Sequence, residues 1–132
     1  MKHLAIFDKG DVIEKILRGE KVIDGRFSRN KALPYENIKK GDEILLKESG
    51  GPITGRVFVD NVLFFDHLAP DLMGKLRKEY EKDLAMEDSF WKTVSRCKFV
   101  SLIFLKNPNR FISPLKFKKH DRRSWVILSN KY

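Results

Sequence analysis

The chain has 132 residues, of which 42% are hydrophobic and 11% aromatic, and its 27 Lys and Arg residues outnumber its 18 Asp and Glu residues. This apolar content is enough for a folded core and excludes a disordered chain, and the length predicts one domain over residues 1–132. The formal net charge of +9 indicates a polyanionic partner, because a basic surface attracts nucleic acid at long range. A lysine-rich protein without such a partner would carry the same charge, so the sequence motifs are needed to distinguish the two possibilities.

Cysteine content and hydropathy predict a cytoplasmic protein. Cys97 is the single cysteine, so neither an internal disulfide nor a cysteine-rich zinc site can form. Residues 1–7 are too short for the apolar region of a signal peptide, and no run approaches the roughly 20 apolar residues that cross a bilayer. We expect no membrane partner and no metal, because the histidines are scattered. We also expect no cofactor, because no phosphate-binding glycine motif is present.

The N-terminal third predicts a strand, a helix and an extended segment. Residues 4–7 form a short apolar strand. A helix then begins at Asp11, with Glu14 at the spacing of a capping box, and ends at Gly19. Residues 21–27 alternate in polarity and predict an extended segment.

The middle of the chain predicts two strands and two helices. Residues 43–47 form one strand and residues 54–65 a longer one, in which the apolar phase changes near Asp60 and predicts a bulge. A helix begins at Pro70, and a second, shorter helix begins at residue 88 or 89.

The C-terminal third predicts three further strands, at residues 98–106, 115–117 and 125–128, with the first ended by Asn107-Pro108-Asn109. The whole pattern favours an α+β fold. We predict a small mixed β-barrel of six or seven short strands, with one N-terminal helix and a helical insertion in the middle.

The densest polar motif is Gly19-Glu20-Lys21-Val22-Ile23-Asp24-Gly25-Arg26. Asp24 and Arg26 lie two residues apart, so they share one side of an extended segment and can pair with each other or face a ligand. Gly25 between them would let a ring or another backbone approach closely. The alternatives are a ligand-binding cleft or a solvated lysine beside a structural ion pair.

Two sequence blocks carry a resemblance to a known family. Residues 19–26 follow a helix and match G-x-K-x-(I/V)-(D/E)-x-R, and Ile38-Lys39-Lys40-Gly41-Asp42 matches (I/V)-K-K-G-D ahead of a strand. In this order the blocks resemble the ASCH superfamily, and Ser89-Phe90-Trp91 looks like the helix near the middle of that domain. The resemblance implies a PUA-like β-barrel with a cleft beside residues 19–26. Members are thought to bind RNA or modified nucleotides.

The same resemblance implies candidate catalytic residues. Some ASCH proteins hydrolyse an acyl group from modified cytidine with a Lys, a Thr three residues later and a Glu, and others are reported to be ribonucleases. Lys21 matches the Lys, Asp24 stands at the Thr position, and Glu87, Glu79 or Glu81 could supply the carboxylate. An ionised Asp24 cannot donate a hydrogen bond as a hydroxyl does, and we expect it to keep Lys21 charged.

The C-terminal region contains a dense basic segment. Its cationic or potentially cationic residues are Lys116, Lys118, Lys119, His120, Arg122 and Arg123. Phe117 lies within the segment and Trp125 follows it, so the pattern predicts contact with a nucleic-acid backbone. The alternative is a solvated hairpin with both aromatic side chains in the core.

A third candidate lies around the short predicted helix. Trp91 and Ser95 are four residues apart and share a helix face, and Arg96 follows them. Trp91 could form the floor of a base-binding pocket, although a tryptophan at such a position more often packs in the core. Cys97 next to them has no neighbouring base in the sequence, so we expect a buried and inert thiol.

Together these patterns favour a domain that binds RNA or a nucleotide. Lys21, Asp24 and Arg26 would recognise the ligand, with Trp91 and Arg96 as further contacts. The residues expected to bind the phosphate backbone are Lys118, Lys119, Arg122 and Arg123. One alternative is a small hydrolase that uses Lys21, Asp24 and Glu87, and another is an adaptor whose basic face binds an acidic protein.

Overall fold

A computed structural model describes residues 1–118 and 122–128. In chain order its elements are β1 (Lys2–Phe7), α1 (Val12–Leu17), β2 (Ile23–Ser28), β3 (Glu43–Glu48), β4 (Ile53–Phe65), α2 (Pro70–Leu84), α3 (Asp88–Thr93), β5 (Phe99–Leu115) and β6 (Trp125–Leu128). The predicted α+β class is confirmed, with one helix near the N-terminus and two in the middle.

The strands form one mixed six-stranded sheet in the order β2-β5-β4-β3-β1-β6. Strands β1 and β3 pair in parallel, and every other neighbouring pair is antiparallel. The sheet curls into a half-barrel, so the predicted small mixed barrel is confirmed in its strand number and its mixed character.

Alternation along the strands divides the apolar residues between the two faces of the sheet. In β5, Ile103 and Leu105 pack with α1 on the inner face, whereas Val100 and Leu102 pack with α2 and α3 on the outer face. At the other end of the outer face, a third cluster includes Leu4, Leu45, Ile53 and Leu128, and Phe117 packs against it.

Helix α1 begins where the sequence predicts but without the predicted capping box. Asp11 makes no side-chain hydrogen bond to the helix. Glu14 accepts two hydrogen bonds from the Arg110 guanidinium, at 2.7 and 2.6 Å, because β5 places that arginine beside the first turn. Gly19 follows the C-cap residue Arg18 with φ = +78°, in the left-handed region that glycine adopts without strain.

The predicted end of the strand at Asn107-Pro108-Asn109 is wrong, because β5 continues to Leu115. Asn107 takes φ = +54°, and the register of β5 with β4 shifts between the pairs Phe58–Lys106 and Arg56–Asn109. Asparagine tolerates this conformation, and a proline at a bulge needs no ladder hydrogen bond. Residues 115–117 are therefore not a separate strand.

The bulge predicted near Asp60 is confirmed. The register of β4 with β5 shifts between Val59 and Asn61, where the apolar phase of the sequence changes. Among the described residues, no helix is both long enough and apolar enough to cross a membrane.

Candidate functional site

A pocket of about 380 Å³ lies where the two ends of the curled sheet approach each other, and we call it the seam pocket. Its lining residues are Ile6, Phe7, Asp8, Val12, Lys21, Asp24, Gly25, Arg26, Phe27, Met86, Phe90, Thr93, Val94 and Ser124. Strands β2 and β1 stand first and fifth in the sheet order, so only a curled sheet brings their side chains into one pocket. The pocket is within the size range of small-molecule sites.

Arg26 bridges the two sides of the seam. Its Nε donates to Asp24 Oδ2 at 2.8 Å, and its Nη1 donates to the backbone carbonyls of Ile6 and Ser124 at 3.3 and 3.4 Å. The guanidinium carbon lies 4.7 Å from the centre of the Phe7 ring and 5.1 Å from that of Trp125, in cation–π geometry. The Nη2 atom is buried and has no hydrogen-bond partner among the described residues. One donor of a buried guanidinium therefore remains for an acceptor.

Lys21 lies at the opposite wall and is only 2% exposed. Its Nζ donates to the carbonyl of Leu84, the last residue of α2, and lies 3.2 Å from the Met86 sulfur. A cation at this position suits a helix C-terminus, whose last carbonyls have no partner within the helix.

Burial decides the protonation of Lys21. It lowers the pKa of the amine to about 8, because desolvation outweighs the opposing attraction of Asp24, and Arg26 and Lys15 lower the pKa further. Burial rather than Asp24 therefore sets the direction of the pKa shift. The amine is mostly protonated at pH 7, yet a minor neutral fraction is present.

Asp24 and Arg26 lie on the inner face of β2, as the alternation predicts. Asp24 is 6% exposed, so the ion pair is buried rather than solvated. Lys21 precedes the first residue of β2, and it contacts Leu84, the residue that packs on Gly25, so it reaches the pocket from the side of α2.

Gly25 permits the close packing that its motif suggests. A Cβ atom there would lie 2.9 Å from Leu84 Cδ2 and 3.0 Å from Phe27 Cε1. Both distances are too short for ordinary contact, so the absence of a side chain lets the end of α2 approach β2. This packing places the Leu84 carbonyl beside Lys21.

The second sequence block supports the seam through a buried hydrogen-bonded chain. Trp125 Nε1 donates to His3 Nδ1 at 3.0 Å, and His3 Nε2 donates to Asp42 Oδ2 at 2.8 Å. Burial lowers the pKa of His3, which matches the neutral Nε2–H tautomer that this geometry requires. Burial acts to raise the pKa of Asp42, but hydrogen bonds from His3 and the Lys39 backbone hold it below its ordinary value. Asp42 therefore orients the His3 ring, and His3 in turn holds the indole of Trp125 through its hydrogen bond. The Arg26 guanidinium lies over that indole.

The other predicted residues of the middle region do not line the seam pocket. Glu87 is exposed at the N-cap of α3. Trp91 is 5% exposed and lines a separate groove between α2 and α3, together with Ser95. The Arg77 guanidinium lies 5.5 Å from the centre of the Trp91 ring. Arg96 is exposed in the turn after α3.

The basic C-terminal segment is only partly described. Lys118, Arg122 and Arg123 are exposed, whereas Lys119 falls outside the described residues. Trp125 is 2% exposed and belongs to the inner core, as the alternative reading of this segment has it.

Several lining residues were not predicted from the sequence. Phe90 and Thr93 bring α3 to the pocket, and Met86 comes from the turn between α2 and α3. Phe7 is the last residue of β1, and Asp8 follows it. The helical phase of α3 offered a signal, because Phe90 and Thr93 are three residues apart and share a face that Trp91 does not.

The described residues show no metal-binding arrangement of three or more His, Cys, Asp or Glu side chains. Cys97 is half-buried, and burial raises the pKa of its thiol, so it stays protonated at neutral pH.

Comparison with known proteins identifies structural relatives but no close sequence relative. No family model and no curated protein matches the sequence. The fold is similar to that of the ASCH protein from Zymomonas mobilis, with a TM-score of 0.74 and 12% identity over 98% of this chain and 88% of that one. Weaker similarity links it to the N-terminal domain of Staphylothermus marinus McrB, with a TM-score of 0.51 and 14% identity over 87% of this chain and 76% of that one. The chain therefore has the fold of an ASCH domain, the fold that the two sequence blocks predict.

Proposed function

We propose that this protein is a nucleic-acid-binding domain whose seam pocket holds a nucleotide, most simply one of a single-stranded RNA. The observation that carries the proposal is the guanidinium of Arg26, which is fixed by three hydrogen bonds and retains a buried Nη2 donor without a partner among the described residues. A fixed donor in a small pocket recognises an oxygen acceptor of the ligand.

The remaining lining of the pocket suits a nucleotide. Phe27 and Phe90 meet edge to face with ring centres 5.4 Å apart and give the pocket an aromatic wall against which a base can pack. Lys21 brings a mostly protonated amine to the same pocket. The net charge of +9 would draw a polyanion towards the domain.

Anisotropy of a labelled single-stranded RNA tests this proposal. Arg26→Gln removes the guanidinium, and Arg18→Gln is the matched control, because Arg18 is exposed and does not line the pocket. We expect Arg26→Gln to weaken binding at least tenfold, about the value of one charged hydrogen bond, and Arg18→Gln to change it little. A folded Arg26→Gln variant with unchanged affinity contradicts the proposal.

A hydrolase of modified nucleosides is the second candidate, and the lowered pKa of Lys21 favours it. A lysine with a pKa of about 8 provides some neutral amine at pH 7, which can act as a base. Asp8 and Asp24 are the carboxylates among the described residues that line the pocket, and Thr93 contributes a hydroxyl. Asp8 is therefore a better candidate than Glu87 for the third catalytic group.

Turnover of N4-acylated cytidines and of single-stranded RNA tests the second candidate. We expect Lys21→Met and Asp8→Asn to abolish any turnover and Glu87→Gln to preserve it. Turnover that survives Lys21→Met excludes the lysine from the mechanism.

If an acidic protein is the true partner instead, capture of that protein from a lysate will resist nuclease treatment, and RNA binding will be absent.

A further inference from the structure

We propose that a second pocket, beside the seam pocket, binds a phosphate group through Lys47 and Lys118. The pocket has a volume of about 290 Å³, and its lining residues are Ile6, Lys47, Ser49, Gly50, Gly51, Phe117 and Lys118. This set contains two lysines and a hydroxyl, and no carboxylate among the described residues. Such a lining suits an anion.

Lys47 is the unusual member of this set. It belongs to β3, is only 5% exposed, and is paired with Ile6 of β1 and Ile53 of β4. The register with β4 shifts between Leu46 and Lys47, and such an irregularity re-aims a side chain. The alternation of β3 places Lys47 on the same face as Leu45, towards the cluster on which Phe117 packs.

The ammonium of Lys47 has little compensation for its burial. Its one hydrogen-bond acceptor among the described residues is the carbonyl of Glu48, at 3.3 Å, and no described carboxylate lies within 4.0 Å. An ammonium has three donors, and buried charges are normally paired. Two donors of Lys47 are therefore left for an anion in the pocket that it lines.

Neighbouring groups complete an oxyanion site. Ser49 is exposed and brings a hydroxyl from the turn after β3, in which Gly50 takes φ = +78°. Lys118 is exposed at the rim and belongs to the basic C-terminal segment. A tetrahedral oxyanion can accept from both ammonium groups and from the hydroxyl at once.

The pocket lined by Lys47 and Lys118 lies next to the seam pocket. Ile6 lines both this pocket and the seam pocket, so the two adjoin across one residue of β1. A single-stranded RNA with one nucleotide in the seam pocket would have the phosphate of a neighbouring nucleotide within reach of Lys47 and Lys118. This assignment to a polynucleotide rests on the proposed function, whereas a free phosphate would use the same groups.

The experiment has two arms with the same variants. Lys47→Met removes the buried charge and keeps an unbranched apolar chain, Lys118→Met changes an exposed side chain, and Lys78→Met is the control on the exposed face of α2. Thermal melts confirm folding, and Lys118→Met tests the site even if Lys47→Met fails to fold.

The first arm measures binding of a single-stranded RNA of about 12 nucleotides as a function of salt. Each of Lys47→Met and Lys118→Met is expected to reduce the slope of log K against log[salt] by about 0.7, the share of one phosphate contact. This corresponds to about 2.5-fold less loss of affinity between 50 and 200 mM salt, with Lys78→Met unchanged.

The second arm titrates the protein with inorganic phosphate and follows the backbone amides of residues 49–51 by NMR. We expect saturable shifts in the wild type that Lys47→Met removes. Saturable phosphate binding with unchanged salt slopes supports the anion site and overturns its assignment to a polynucleotide. No phosphate shift and unchanged slopes overturn the site itself, whereas an unchanged RNA affinity of folded Arg26→Gln overturns only the proposed function.

Discussion

The titration of Lys21 gives a prediction that depends directly on the geometry of the seam pocket. In Lys21→Met the buried amine is replaced by an apolar chain of similar length, so the variant has no charge to desolvate. In the wild type, the folded protein releases the proton at about pH 8, whereas the unfolded chain keeps it to its ordinary pKa of 10.5. Between these two pH values the unfolded state therefore binds more protons than the folded state. The free energy of unfolding of the wild type, relative to that of Lys21→Met, rises with pH in that window.

The magnitude follows from the width of the window. A pKa that falls from 10.5 to about 8 makes the wild type more stable at pH 10 than at pH 7, relative to Lys21→Met, by about 2 to 3 kcal/mol. Any change in apolar packing that the methionine causes does not depend on pH, so it cancels in this difference. Urea denaturation of both proteins at the two pH values measures the gap.

A constant difference in stability between the two proteins from pH 7 to pH 10 would refute the reasoning. It would mean that Lys21 is solvated in the folded protein and that the pocket does not have the buried wall described above. A gap that moves in the opposite direction would mean that the attraction of Asp24 exceeds the effect of burial.

Three further predictions concern the groups that build the seam. Asp24→Ala leaves the buried guanidinium of Arg26 without its carboxylate and should lower the free energy of unfolding by about 3 kcal/mol; a loss below about 1 kcal/mol in urea denaturation would show that the pair is solvated. Gly25→Ala should destabilise the protein by about 1 to 3 kcal/mol, because the new methyl group meets Leu84. Gly74 is exposed in α2 and has no atom within 4 Å of a new Cβ, so Gly74→Ala should stabilise the protein by up to about 1 kcal/mol. Equal effects of the two substitutions on thermal unfolding would contradict the packing of α2 on Gly25. Nitrogen-15 NMR should find His3 as the neutral Nε2–H tautomer at pH 7 with a pKa below 6.5, and an Nδ1–H tautomer would be incompatible with the bond from Trp125.

The fold was largely predictable because its signals are local. Alternating and apolar runs defined most of the strands, and Pro70 marked the start of α2. The exception was β5, where Asn107 and Pro108 normally end a strand. A register shift against β4 absorbed both residues, and such a shift depends on the partner strand, which a reading of one segment does not include.

The candidate site was predictable only in part. Asp24 and Arg26 were assigned to one face by strand alternation, and the resemblance added Lys21. The electrostatics of Lys21 could not be predicted, because burial by the end of α2 is a tertiary effect that outweighs its sequence neighbour Asp24. Lys47 gave no signal at all, since a lysine that ends an apolar strand is normally exposed.

The central claim is that the seam pocket holds a nucleotide, and mapping of a bound single-stranded RNA by amide chemical shifts tests it most directly. We predict that the largest shifts fall on lining residues from three parts of the chain, namely Asp8 after β1, Gly25 and Arg26 in β2, and Phe90 and Thr93 in α3. Shifts confined to the groove between α2 and α3, around Trp91 and Ser95, would contradict the account.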